Sequence, residues 1–129
     1  MAKVWLRISV DDMTDEGWEE TTSLLGNDYW YKFTGGTQGK GNQKFAANGV
    51  SKSFNVQLKG PSNANYRLSE PLVTFNDLEY QLSGSLNGNK MRVNDACTES
   101  SKGMIYAVWV HPVGDEDDLF QCHPRVSNQ

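Results

Sequence analysis

Long apolar runs are absent from this chain: no segment approaches the roughly 20 consecutive apolar residues that a membrane-spanning helix needs, so a membrane is not an expected partner. Basic clustering is absent too. The twelve Lys and Arg are scattered along the sequence, which gives a phosphate backbone little electrostatic footprint and argues against nucleic acid. The opening residues Met1-Ala2-Lys3-Val4-Trp5-Leu6-Arg7 reach a second charge before an apolar core of signal-peptide length can develop. No Asn-x-Ser/Thr acceptor occurs. The expected compartment is therefore the cytoplasm, where the two cysteines, Cys97 and Cys122, remain thiols.

What is present is a chain of 129 residues, enough for one domain over 1–129 that buries a core without staples. Hydrophobic content of 37% and aromatic content of 11% exceed what a disordered chain carries. The net charge of −4 is concentrated: Asp11, Asp12, Asp15, Glu16, Glu19 and Glu20 supply six of the sixteen acids, and the other ten face twelve bases. The body is thus near neutral, and a second acidic run, Asp115 to Asp118, reads as a solvated turn that discourages edge pairing.

Alternation of apolar and polar residues predicts strands at Val4 to Val10, Tyr29 to Phe33 and Phe54 to Leu58. Further strands are expected at Leu72 to Phe75 and from Tyr80 to Leu86, with Tyr80, Leu82 and Leu86 on one face. The pair Asn87-Gly88 is a hairpin signal, with Lys90 to Val93 returning antiparallel. Met104 to Val110 is apolar on both faces, which marks a central strand covered on both sides or facing a partner. After it, a hairpin turning at Asp115 to Glu116 brings Cys122 opposite Trp109, within one or two residues of slip. Thr14, the acids after it and Gly26 as a stop predict a short helix over 15–25, weakened by Gly17 and Thr21-Thr22 and balanced against an irregular loop. The fold class is all-β, a two-sheet antiparallel sandwich of seven to eight strands of immunoglobulin-like or cupredoxin-like type.

Few constellations carry chemistry. The run Gly35-Gly36-Thr37-Gln38-Gly39-Lys40-Gly41 has the wrong spacing for a phosphate loop and lacks its Ser or Thr, so it reads as a mobile hairpin loop. His111, Cys122 and His123 raise a copper site or a thiol nucleophile. Adjacent Cys122 and His123 point to opposite faces of an extended chain, and no third group orients a base. No catalytic residue, metal or cofactor is expected. The aromatics offer more: Trp5 and Trp30, opposite the buried alternates, suit either an interface or a sugar-stacking platform, while Trp18 and Trp109 are expected in the core.

The final third resembles a group of small bacterial proteins of cupredoxin-like β-sandwich fold, including the AidA/PixA inclusion-body proteins and the related DP-EP family. In these a strand ends in an Asp-x-Asn turn, a Tyr-rich strand follows, and the chain closes with Asp-Pro-x-Ile/Val-x-Asn. The corresponding residues are Asp95-Ala96-Cys97, then Ile105-Tyr106-Ala107-Val108-Trp109-Val110, then His123-Pro124-Arg125-Val126-Ser127-Asn128. The likeness covers about the last eighty residues, with Cys97 in place of the turn Asn and His123 in place of the Asp before Pro124. It implies a fold, and a link to inclusion bodies or secondary-metabolism loci rather than to a known reaction. The combined expectation is a non-enzymatic, self-associating or ligand-binding sandwich. A carbohydrate-binding module is the alternative and a metal-dependent or thiol enzyme comes third; Trp5, Trp30, Trp109, Cys97 and His123 are the candidate ligand or interface residues.

Overall fold

The computed structural model describes residues 2–128. Eleven strands and one short helix follow in order: β1 (Ala2–Ser9), β2 (Glu19–Thr22), β3 (Asp28–Gly35), β4 (Gln43–Phe45), β5 (Lys52–Leu58), α1 (Pro61–Asn65), β6 (Tyr66–Phe75), β7 (Leu82–Asn87), β8 (Lys90–Asp95), β9 (Ser101–Pro112), β10 (Phe120–Cys122) and β11 (Arg125–Asn128). They form a six-stranded sheet, β2-β3-β1-β5-β8-β7, and a five-stranded sheet in which β9 pairs β6 on one edge and β10 then β11 on the other, with β4 beyond β11. The two-sheet, all-β expectation holds. The strand number is higher than expected because β2, β4, β10 and β11, at three or four residues each, are too short to show a period.

The antiparallel-only expectation is corrected. β1 pairs β5 in parallel and β4 pairs β11 in parallel. The cause is a crossing of the chain: after β3 it enters the second sheet as β4, so β5 re-enters the first sheet in the direction of β1. The expected helix over 15–25 is also absent; residues 11–18 are irregular and 19–22 form β2, whose β-branched Thr21 and Thr22 suit a strand. Gly26, expected as a helix stop, instead takes the positive φ of 89° in the β2–β3 turn. The one helix lies elsewhere, at α1, where the buried Ser62 hydroxyl accepts a hydrogen bond from the Ile8 amide at 3.0 Å and fastens the end of β1. No helix among the described residues is long and apolar enough to cross a membrane.

Period-two alternation places the core. Val4 and Leu6 of β1, Tyr29, Tyr31 and Phe33 of β3, and Phe54, Val56 and Leu58 of β5 face Met104, Tyr106, Val108 and Val110 of β9, with Phe120, Cys122 and Val126 beside them. Cys122 pairs with Val108 rather than with Trp109, one residue from the expected register, because both side chains must point inward. The glycine-rich loop after β3 is not a free hairpin tip. Gly36 N–H donates to Lys3 O at 3.2 Å, Gly41 N–H to Gly35 O at 2.9 Å, and the buried Tyr106 hydroxyl to Gly41 O at 3.2 Å. At Gly41 a Cβ would stand 2.6 Å from the Phe33 Cβ, so glycine lets the loop lie against the core.

At the end of the sandwich where β1 finishes, the β2–β3 turn is clasped to the β9–β10 loop. Asp118 is 1% exposed, and its carboxylate accepts from Asn27 Nδ2 at 3.0 Å and from the Tyr29 hydroxyl. Leu24 N–H donates to Leu119 O at 2.9 Å beside them. Burial alone would raise the Asp118 carboxyl, but hydrogen bonds from Ser23, Tyr29 and Asn27 outweigh it and hold the group below the ordinary carboxylate range. The acidic run read as a solvated turn thus holds one structural carboxylate.

Candidate functional site

The five residues singled out from the sequence do not meet in one place. Trp5 and Trp30 lie on the outer face of the six-stranded sheet, half-buried, with the Lys3 ammonium 5.9 Å from the Trp5 ring centre. Trp109 lies on the outer face of the other sheet. Cys97 is fully buried at the far end of β8, whereas His123 is exposed at the junction of β10 and β11. Both cysteines are free. Burial pushes both thiols up, Cys122 well above its ordinary range, so neither is poised as a nucleophile.

The two family-like motifs do meet. Asn128, fully buried, donates through Nδ2 to Asp95 Oδ1 at 2.9 Å and to Gln81 Oε1 at 3.0 Å. Asp95 Oδ1 also accepts from the Cys97 amide at 3.0 Å, and Gln81 Oε1 from the Glu99 amide at 2.9 Å. Cys97 has a φ of 55°, the left-handed conformation that asparagine tolerates better than most residues. The closing segment is therefore fastened by one buried polar network. This cluster is structural: it is sealed from solvent.

The solvent-accessible site is a cleft along one side of the sandwich. β10 has only three residues and β4 pairs with β11, so beside β10 the second sheet ends early. The facing edge, β2 and β3, and residues 17–18 and 40–42 enclose a hollow of about 350 Å³. Its floor is Tyr31, Phe33 and Pro124, all largely buried, and its rim carries Trp18, Glu19, Lys40, Asn42 and His123. A second hollow of about 490 Å³ shares Gly17, Phe33 and Lys40 and extends the groove past Asp15, Glu16 and Lys32.

Neighbouring strands place these groups. Glu19 and Tyr31 are register partners across β2 and β3, and the Tyr31 hydroxyl donates to Glu19 Oε2 at 2.9 Å. Burial first, and the Glu19 bond second, hold the Tyr31 hydroxyl well above the ordinary phenol range, so it stays a proton donor at neutral pH. His123 meets the Tyr31 ring edge-on at 6.2 Å. Trp18 is positioned by the Arg7 guanidinium, 5.7 Å from its ring centre. The exposed Lys40 ammonium lies 3.4 Å from Glu16 Oε1. The cleft thus joins an aromatic floor to a carboxylate, an ammonium and an imidazole. Among the described residues no three His, Cys, Asp or Glu side chains stand close enough to hold a metal ion.

Of the five candidate ligand or interface residues, only His123 lies in the cleft. Trp18 and Glu19 were hidden by the helix expectation; reading Thr21-Thr22 as a strand would have set Glu19 opposite Tyr31. Lys40 and Asn42 were hidden by reading their loop as a free tip. A comparison with protein families, curated proteins and solved structures finds no match to this chain.

Proposed function

We propose that this chain is a non-enzymatic binding protein whose ligand is a small molecule with a ring-shaped apolar body and a polar rim, seated in the edge cleft. The observation that carries the reading is the convergence of Trp18, Tyr31 and Phe33 with Glu19, Lys40 and His123 in one hollow of about 350 Å³. The floor is aromatic, most of the exposed lining is polar, and the volume falls within the range of ligand pockets. The non-enzymatic reading is supported by the burial of both thiols and by the separation of the inward Cys122 from the outward His123.

Carbohydrate is the ligand class favoured next. Trp18 offers a ring at the mouth of the cleft, with Glu19 and His123 as hydroxyl partners, and Trp5 and Trp30 add flat surface on the adjoining sheet face. The proposal that the chain shares the cupredoxin-like ancestry of the AidA/PixA and DP-EP group is supported by the Asp95–Asn128 hydrogen bond, which joins the two motifs of that likeness, and the proposal of a cytoplasmic setting by the free state of both cysteines.

The test is tryptophan fluorescence during titration with monosaccharides, oligosaccharides and aromatic carboxylates, repeated with Trp18→Ala. A saturable change that is lost in Trp18→Ala is expected. A flat response over the whole panel, or one that Trp18→Ala leaves intact, would overturn the reading.

A further inference from the structure

Two Asn-Gly pairs occur in the chain, Asn48-Gly49 and Asn87-Gly88. Such a pair is chemically labile, because a glycine nitrogen with no Cβ beside it can approach and attack the carboxamide of the asparagine before it. In exposure and backbone the two are alike. All four residues are exposed, both glycines take a positive φ, 79° at Gly49 and 62° at Gly88, and beyond chain neighbours neither has an atom within 4 Å of where a Cβ would stand. Hydrogen bonding separates them. The Gly49 N–H donates to the carbonyl of the buried Cys97 at 2.9 Å, and Asn48 Oδ1 accepts from the Val50 N–H at 3.0 Å. At the second pair the β7–β8 ladder ends with Asn87 opposite Lys90, so Gly88 and Asn89 form a two-residue hairpin loop, with glycine at its first position where φ is positive. Among the described residues neither the Gly88 N–H nor the Asn87 carboxamide has a partner within the chain.

We propose that Asn87 is a site of spontaneous modification, converted by water to aspartate and isoaspartate, and that the isoaspartate releases α1 and the start of β6 from the hairpin. In the first step the Gly88 nitrogen bonds to Asn87 Cγ and the Cγ–Nδ2 bond breaks. The Gly88 amide proton leaves with the side-chain nitrogen as ammonia, and a succinimide ring remains. Water then adds to one of the two ring carbonyls. Opening at Cγ gives aspartate; opening at the main-chain carbonyl gives isoaspartate, whose main chain runs through Cβ and Cγ. One water is consumed and one ammonia released, with no change of oxidation state. Closing the ring requires Asn87 to rotate out of its extended conformation, and it stands on the last rung of the ladder, where strands open most easily. At Asn48 the same closure must break both the Gly49–Cys97 and the Val50–Asn48 hydrogen bonds.

The place of the hairpin tip gives the change its consequence. Asn89, the second residue of the loop, fastens the neighbouring segment: its Oδ1 accepts from the Leu68 N–H at 2.7 Å, and its Nδ2 donates to Asn63 Oδ1 at 2.9 Å and to Tyr66 O at 3.3 Å. One side chain thus ties α1 and β6 to the β7–β8 hairpin. Aspartate at position 87 only sets a carboxylate in register with the exposed Lys90. Isoaspartate adds a methylene to the main chain directly before the loop, so Asn89 is carried away from Leu68 and Asn63.

Incubation of the folded protein at mildly alkaline pH, followed by proteolysis and mass spectrometry of the peptides, tests this. The two hydrogen bonds at Asn48, set against the one rung at Asn87, should make conversion at Asn87 about tenfold faster. In urea strong enough to unfold the chain the two rates should converge, because the fold alone separates them. Hydrogen exchange of the same samples should show the Leu68 amide protected in fresh protein and losing protection as isoaspartate accumulates. In Asn87→Gln, which closes only a larger ring, that protection should persist through the incubation. Equal conversion of Asn48 and Asn87 in the folded protein overturns the proposal, as does a preference for Asn87 that survives in urea. A Leu68 amide that stays protected in the isoaspartate form overturns the release of β6.

Discussion

Replacing Asp118 by alanine should cost the fold about 2–3 kcal/mol at neutral pH. The carboxylate is 1% exposed and accepts from Asn27 Nδ2 and the Tyr29 hydroxyl. Asn27 is exposed and regains a partner from water, so its loss counts little. Tyr29 is 6% exposed and stacks on Phe120 at 4.2 Å, so its hydroxyl is held where it loses its acceptor. A buried donor left in that state costs about 1–3 kcal/mol, and a hydrogen bond to a charged group is worth about 1.5–3 kcal/mol. Tyr29→Phe placed on the Asp118→Ala background should therefore recover about 1 kcal/mol, because it removes the stranded donor.

The pH dependence follows from the direction of the Asp118 shift. Its folded-state carboxyl titrates below the unfolded value of about 3.9, so the folded state binds fewer protons there. The stabilisation is fully present above the unfolded value and is lost as pH falls through the lowered folded one. Urea denaturation of both proteins from neutral pH down to about pH 3 should show the difference between them shrinking at the acidic end. A loss below about 0.5 kcal/mol at neutral pH, within the ordinary range for a surface substitution, would refute the clasp. A loss that is the same at both ends of the pH range would refute the assignment to an ionised carboxylate.

Two further outcomes concern the backbone. Gly41→Ala should destabilise by about 3 kcal/mol, from left-handed strain plus overpacking, because its Cβ would stand 2.6 Å from the Phe33 Cβ; Gly39→Ala, with a φ of 73° and open space around it, should lose only about 1 kcal/mol, and equal losses in thermal melts would count against the packed loop. At position 97, with its φ of 55°, Cys97→Asn should retain stability within about 0.5 kcal/mol while Cys97→Val loses about 2 kcal/mol or more; denaturation curves that rank the two in the opposite order would refute left-handed strain at this position.

Much of the fold was legible because β1, β3 and β5 advertise their buried faces. Val4 and Leu6, Tyr29 to Phe33, and Phe54 to Leu58 alternate clearly, and the same residues line the core. Asn87-Gly88 marked a hairpin that the structure contains, with Gly88 at a φ of 62°. The cleft was largely illegible. Its residues come from the start of β2, the middle of β3, the glycine loop and the β10–β11 junction, and none of these segments signals the others. Trp18 and Glu19 were misplaced for a local reason, since acids ahead of an apolar residue and a glycine also describe a helix start and stop.

Alternation by itself determined that this protein is built of strands, and which side of β1, β3 and β5 is buried, since the two faces of an extended chain differ by one residue of phase. Only the tertiary structure decided which strands pair. The parallel union of β1 with β5 depends on a crossing through the second sheet that no local pattern records. It also decided which charges are structural: Asp118 sits in a run of four acids, yet it alone is enclosed, because the β2–β3 turn folds over it. Asp95 and Asn128, 33 positions apart, became partners only when β8 and β11 reached the same end of the sandwich. A side chain's identity states what it is able to bond, whereas its partner is set by the path of the chain between them.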